Sequence, residues 1–166
     1  MSQTKFQPQQ IFGTELSAND STAKETVGII RWEYDDTYGL RAYRYMQAAS
    51  GTTVANGTAL CYTDGYKKVC SSDISDADEN QVAGVGIGAI TASYYGWVQV
   101  YGYHSAVLTD GGDDIADGDW VILHASTDGV CDRTASGTAA VSVPIGVAVA
   151  ADVDAADTVA TFINCL

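Results

Sequence analysis

Val54-Ala55-Asn56-Gly57 is answered 61 residues later by Ile115-Ala116-Asp117-Gly118, and Val69-Cys70 by Val130-Cys131. One residue further out of step, Ala83-Gly84-Val85-Gly86 is answered by Ile145-Gly146-Val147-Ala148. An apolar strand follows each time, Trp97-Val98-Gln99-Val100 in the first copy and Val159-Ala160-Thr161-Phe162 in the second. Four matched blocks in one order at a nearly constant offset predict a folded β unit made twice, over about residues 53–104 and 114–166.

The segments between these blocks support the same class. Val27–Trp32 reads as a first strand. Leu40–Met46 reads as a second strand through its aromatics, with a short helix as the alternative. Thr58–Tyr62 and Tyr66–Cys70 read as a hairpin, and Ser71–Gln81 as an acidic loop or one helical turn. Val82–Ile90, Tyr94–Tyr103, Ala106–Leu108, Asp119–Leu123, Pro144–Ala150 and Thr158–Leu166 complete the set, with Asp128-Gly129 as a hairpin signal. Short strands separated by Gly and Asp turns predict an all-β domain over 27–166, a small barrel or sandwich. Residues 1–26 are polar with isolated Phe6, Ile11, Phe12 and Leu16. Such a segment buries too little apolar surface to order itself, so an extended arm is expected. It is either a free tail or an arm whose Phe6, Ile11 and Phe12 dock on a neighbour.

Charge excludes several function classes. Eight Lys and Arg oppose 21 Asp and Glu, a net charge of −13. Phosphate backbones and anionic membranes need clustered positive charge, so neither is an expected partner. No apolar stretch approaches the roughly 18 residues of a membrane span, and Met1–Thr14 carries no secretory h-region. Synthesis in a cytoplasm is expected.

Few residues suggest chemistry. Cys61, Cys70, Cys131 and Cys165 are too scattered for a disulfide framework and lack zinc-site spacing; buried thiols are expected. A Gly65-Tyr66 hairpin loop would set Asp64 against Lys67 and Cys61 against Cys70. Cα atoms at such a position lie about 4.5 Å apart, the short end of what a disulfide accepts, though reducing conditions disfavour the bond. Asp110, Asp113, Asp114, Asp117 and Asp119 lack the spacing of a calcium loop and read as turn residues. His104 and His124 have no nucleophile at suggestive spacing. Gly84-Val85-Gly86-Ile87-Gly88 leads into another strand rather than a helix, which excludes a dinucleotide loop. The sequence therefore predicts no catalytic residue, metal or cofactor. Aromatic side chains are what remains, and Trp97, Tyr101 and Trp120 form a candidate glycan-binding set.

Ile115-Ala116-Asp117-Gly118-Asp119-Trp120-Val121, then Asp128-Gly129-Val130, then Pro144–Ala150 and a closing strand, resemble the head decoration (cement) proteins of tailed bacteriophages. Tyr43-Arg44-Tyr45 with Thr53–Gly57 is similar to the earlier part of such proteins. The resemblance spans about residues 27–166. It implies a structural protein, not an enzyme, on the exterior of an icosahedral capsid, with the major capsid protein as partner and homotrimers at subunit junctions. Low strand charge and many tyrosines also point to surface covered by a second copy. The alternatives are a carbohydrate-binding β module or another virion component, such as a head fibre base or tail protein.

Overall fold

The computed structural model describes residues 12–73, 81–112, 114–134, 143–152 and 157–166. Phe6 and Ile11 lie outside them, as does most of the acidic segment 71–81. Every regular element described is a strand: β1 (Ile30–Asp35), β2 (Gly39–Ala48), β3 (Ala59–Tyr62), β4 (Val69–Ser71), β5 (Val82–Gly86), β6 (Tyr95–Leu108), β7 (Trp120–Leu123), β8 (Cys131–Thr134), β9 (Gly146–Ala148) and β10 (Thr158–Asn164). They form one mixed sheet in the order β1-β2-β4-β3-β5-β6-β10-β9-β7-β8, with β6 also pairing back onto β2. The segment Leu40–Met46 is thus strand, not helix. Tyr94–Tyr103 and Ala106–Leu108 merge into the 14 residues of β6. The His104 ring joins them, its Nδ1 accepting the Ala106 N–H at 3.2 Å where the β6–β10 register shifts.

Hydrogen bonding runs in circuits. β2 meets β4 in parallel, β4 meets β3, β3 meets β5, β5 meets β6, and β6 returns to β2. Further on, β6 meets β10, then β9, β7 and β8 follow, and a parallel bridge from Cys131 returns to Thr109 just past β6. Partners recur along the way. Tyr62 pairs with Cys70, and Leu123 with Cys131. Ala59 pairs with Val85, and Trp120 with Val147; Val85 pairs with Gln99, and Val147 with Phe162.

The turns recur as well. Ala55 N–H donates to the Thr58 hydroxyl and Ala116 N–H to the Asp119 carboxylate, both at 3.0 Å. Gly57 and Gly118, with φ of 83° and 88°, follow within these turns. A Cβ at Gly84 would strike the Gln99 carbonyl oxygen, and one at Gly146 the Phe162 carbonyl oxygen. Only glycine permits so close a backbone approach.

Side chains sort by alternation. On β2, Ala42, Met46 and Ala48 enter one apolar cluster with Leu60, Tyr62 and Val98. Tyr43 and Tyr45, of the other parity, join Trp97 in a second cluster. Val159 and Ile163 of β10 sit with Val107, Ile115 and Val121 in a third.

The structure corrects two expectations. Residues 12–26 are not a detached arm. Phe12 and Leu16 pack on the Trp97 cluster, and Asp20 bridges to Tyr95. A few apolar residues suffice because they close over one buried indole rather than building a core of their own. The β3–β4 hairpin is also displaced by one residue. Cys61 faces Ser71 while Tyr62 faces Cys70, so the two thiols point to opposite sides and into different clusters. Asp64 does not reach across to the Lys67 side chain. Its Oδ1 accepts the N–H groups of Lys68 and Val69 at 3.0 and 3.1 Å, which widens the loop.

Candidate functional site: an aromatic outer face

β1 and β2 register Trp32 against Ala42 and Tyr34 against Leu40. Residues directly opposite share a face, so the small Ala42 leaves room for the Trp32 ring to lean onto Tyr101 at 5.7 Å. Tyr101 in turn meets Phe162 edge-on at 5.3 Å. Beyond the β1–β2 turn, Tyr38 stacks on Tyr103 with centroids 4.7 Å apart and planes at 8°. Arg41 stands over Tyr38 at 5.8 Å.

Asp35 holds this turn. Its Oδ1 accepts the N–H groups of Thr37 and Tyr38 at 2.8 and 2.9 Å, and its Oδ2 accepts from Arg41 at 2.7 Å. Those backbone donors, with Arg41 adding to them, hold the carboxyl below its ordinary range. The result is a surface on which Trp32, Tyr34, Tyr38 and Leu40 remain 46–68% exposed. Trp32, Tyr34 and Leu40 share one face of the β1–β2 pair, with Tyr38 in its turn, and so many exposed large apolar groups on one hairpin make it the candidate contact surface.

The sequence-derived candidates separate in the fold. Phe12 is spent internally, edge-on to Trp97 at 5.2 Å with Arg31 over its ring. Trp97 is 1% exposed. It therefore cannot serve as a glycan platform, because Phe12, Tyr45 and Tyr95 occupy its surroundings. Trp120 is exposed, whereas Tyr101 is half-buried against the Ala42 cluster. Trp120 is opposite Val147, which is opposite Phe162, the edge-on neighbour of Tyr101. Reading the sequence missed Tyr34, Tyr38, Leu40 and Phe162. The available signal was the same-parity pair Trp32 and Tyr34, the second of them two residues beyond the predicted end of the first strand.

Both histidines have structural roles. His104 is buried, and burial holds its pKa below the ordinary 6.5, with the Gly86 carbonyl partly opposing and Arg41 adding to the shift. His124 accepts the N–H groups of Ser126 and Thr127 on Nδ1 at 3.1 and 2.8 Å, with Nε2 3.2 Å from Asp110. Of the acidic run, Asp110 accepts the Gly112 N–H, and Asp119 is buried in its turn; Asp113 lies outside the described residues. A cleft beside the aromatic face is bordered by Tyr38, Arg41, Asn56, Tyr103 and His104. Among the described residues, no group of three or more His, Cys, Asp or Glu side chains is placed to hold a metal ion. No helix there is long and apolar enough to cross a membrane.

Comparison with protein-family models, with curated proteins and with solved structures finds no match for this chain.

Proposed function

We propose that this chain is a non-enzymatic structural protein of a phage virion. It would bind the outer surface of an icosahedral capsid and stabilise contacts between major capsid subunits. The observation that carries the reading is the set of large apolar side chains Trp32, Tyr34, Tyr38 and Leu40, which stay 46–68% exposed among the described residues. Exposed aromatics presented on a rigid sheet lose little entropy on docking and supply the anchors that dominate protein contacts. A protein that binds only the assembled shell stabilises it by mass action. The acidic remainder keeps dense particles apart.

The fold supports this use. The two hydrogen-bonded circuits read as small barrels sharing β6, built from a duplicated unit, because their partners, turns and obligatory glycines recur in register. A carbohydrate-binding module is the second reading. The cleft bordered by Tyr38 and Tyr103 favours it, while the burial of Trp97 removes its original centre.

Mixing the purified protein with undecorated, expanded phage heads tests the first reading. Stoichiometric binding that is lost in Tyr34→Glu and Leu40→Glu supports it, and absence of binding overturns it. Saturable binding on a glycan array, with none to heads, selects the second.

A further inference from the structure

Tyr43 and Gln99 stand directly opposite each other across β2 and β6, where the register of the two strands shifts. Residues so opposed project from the same face, and a bulge beside them re-aims side chains. Both line the cleft beside the aromatic face, whose volume of about 340 Å³ suits a small ligand. Both are also buried, Gln99 at 1% and Tyr43 at 2% exposure.

Their polar ends are not spent on the protein. Gln99 Nε2 donates to the carbonyls of Tyr101, Gly102 and Tyr103 at 3.2, 3.2 and 3.0 Å. Those bonds fix the amide and leave Oε1 without a donor among the described residues. The Tyr43 hydroxyl has no partner among them either. Neither atom is sealed in as the Tyr62 hydroxyl is, so the opening each keeps is onto the cleft. Buried polar groups are nearly always paired. Two unpaired neighbours facing one cavity are places for hydrogen bonds from outside, Oε1 as an acceptor and the phenol as donor or acceptor.

Charge narrows the ligand class. Burial raises the Tyr43 pKa most, and Arg41, Glu33, Asp35 and Arg31 then act on it with opposing signs. Arg41 pairs with Asp35 and Arg31 with Glu33, so these charges cancel. Burial also disfavours the charged form of His104. Nothing in this balance recruits an ion. Leu16 and Ile87 give the cleft apolar walls, and the exposed Asn56 and Ser105 set an amide and a hydroxyl at its border. Tyr38 is already stacked on Tyr103 with Arg41 over its ring, so hydrogen bonds rather than ring stacking hold the ligand.

Deepening the carbohydrate reading and resting on it, we propose that this cleft binds one uncharged sugar ring, with one hydroxyl donating to Gln99 Oε1 and a neighbouring one accepting from the Tyr43 hydroxyl. Adjacent hydroxyls that both donate and accept match this pair, and a neutral ring matches the cancelled charge. Shell binding through Trp32, Tyr34 and Leu40 does not require it.

Titration of the full chain with glucose, galactose, mannose and N-acetylglucosamine, followed by backbone amide NMR shifts, tests this. At least one of them should shift the His104 and Ser105 amides saturably at millimolar concentration, with glucuronate binding no tighter. Tyr43→Phe removes a hydroxyl that has no protein partner. Its melting temperature should therefore hold while the dissociation constant rises about three- to tenfold. No saturable shift at the cleft with any of the four sugars, or tighter binding of glucuronate, would overturn the proposal. So would saturation by N-acetylglycinamide alone, which would give the cleft to peptide backbone. A sugar that binds Tyr43→Phe equally well, or that shifts amides elsewhere, overturns this site and leaves the carbohydrate reading standing. Absence of binding both here and on a glycan array overturns the two together.

Discussion

The Trp97 indole N–H donates to the Thr14 hydroxyl at 3.0 Å, joining residues 83 apart in the chain. That hydroxyl in turn donates to Glu25 Oε1 at 3.1 Å, and the same oxygen accepts the N–H groups of Gly13 and Thr14 at 2.7 and 3.0 Å. Arg31 donates to the Thr14 carbonyl at 2.8 Å. One carboxylate therefore straps residues 13 and 14 across the aromatic cluster.

Cutting that strap should destabilise the domain itself. Hydrogen bonds to a charged acceptor contribute about 1.5–3 kcal/mol. Glu25→Ala should cost about that much in urea unfolding, and Glu25→Gln less. Deleting Met1–Ser21 should lower the melting temperature of the isolated protein, because it uncovers Trp97. An unchanged melting temperature would mean that the strap is incidental.

Gly84→Ala and Gly146→Ala should each destabilise by about 3 kcal/mol, since a methyl group would meet a neighbouring carbonyl oxygen. Gly65→Ala, where the added carbon meets nothing within 4 Å, provides the contrast. Equal effects at all three positions would refute the close-approach argument.

The cysteines should be inert in the folded protein. Burial pushes Cys61 up to about 11 and Cys70 and Cys165 to about 12, and raises Cys131 as well. Because the thiolate is the nucleophile, alkylation at pH 8 should be slow until denaturant exposes all four thiols. Mass spectrometry without reductant should find no Cys61–Cys70 disulfide, as the register forbids it.

His104 predicts a pH dependence with a definite sign. Its folded pKa is depressed by burial, so the unfolded chain takes up the proton first as pH falls below about 6.5. Stability conferred by the neutral ring is complete above that pH and is lost as pH falls toward the folded pKa. Urea midpoints measured from pH 7.5 to 5.5 should therefore decline, and His104→Gln should flatten the decline. No change in slope would place the titration elsewhere.

The all-β class was legible from local chemistry alone. Turn glycines, Asp-Gly pairs and alternating apolar residues act over a few positions, and each was read from its neighbours. Most predicted strands are present. Register was not legible. Asp64 can cap its own loop or face Lys67, and only the packing of Cys61 and Cys70 into separate clusters selects the first.

The sequence by itself determined that the chain is built of short strands and which segments most of them occupy. Tertiary structure alone decided which aromatics are covered. Trp97 and Trp32 are alike in composition and strand context, yet Phe12 closes over one while Ala42 merely makes room beside the other. Burial depends on what arrives from residues distant in the chain, and no local pattern encodes that arrival. Hence Phe12, expected to reach outward, holds the core shut, and the exposed face is made by Trp32, Tyr34, Tyr38 and Leu40.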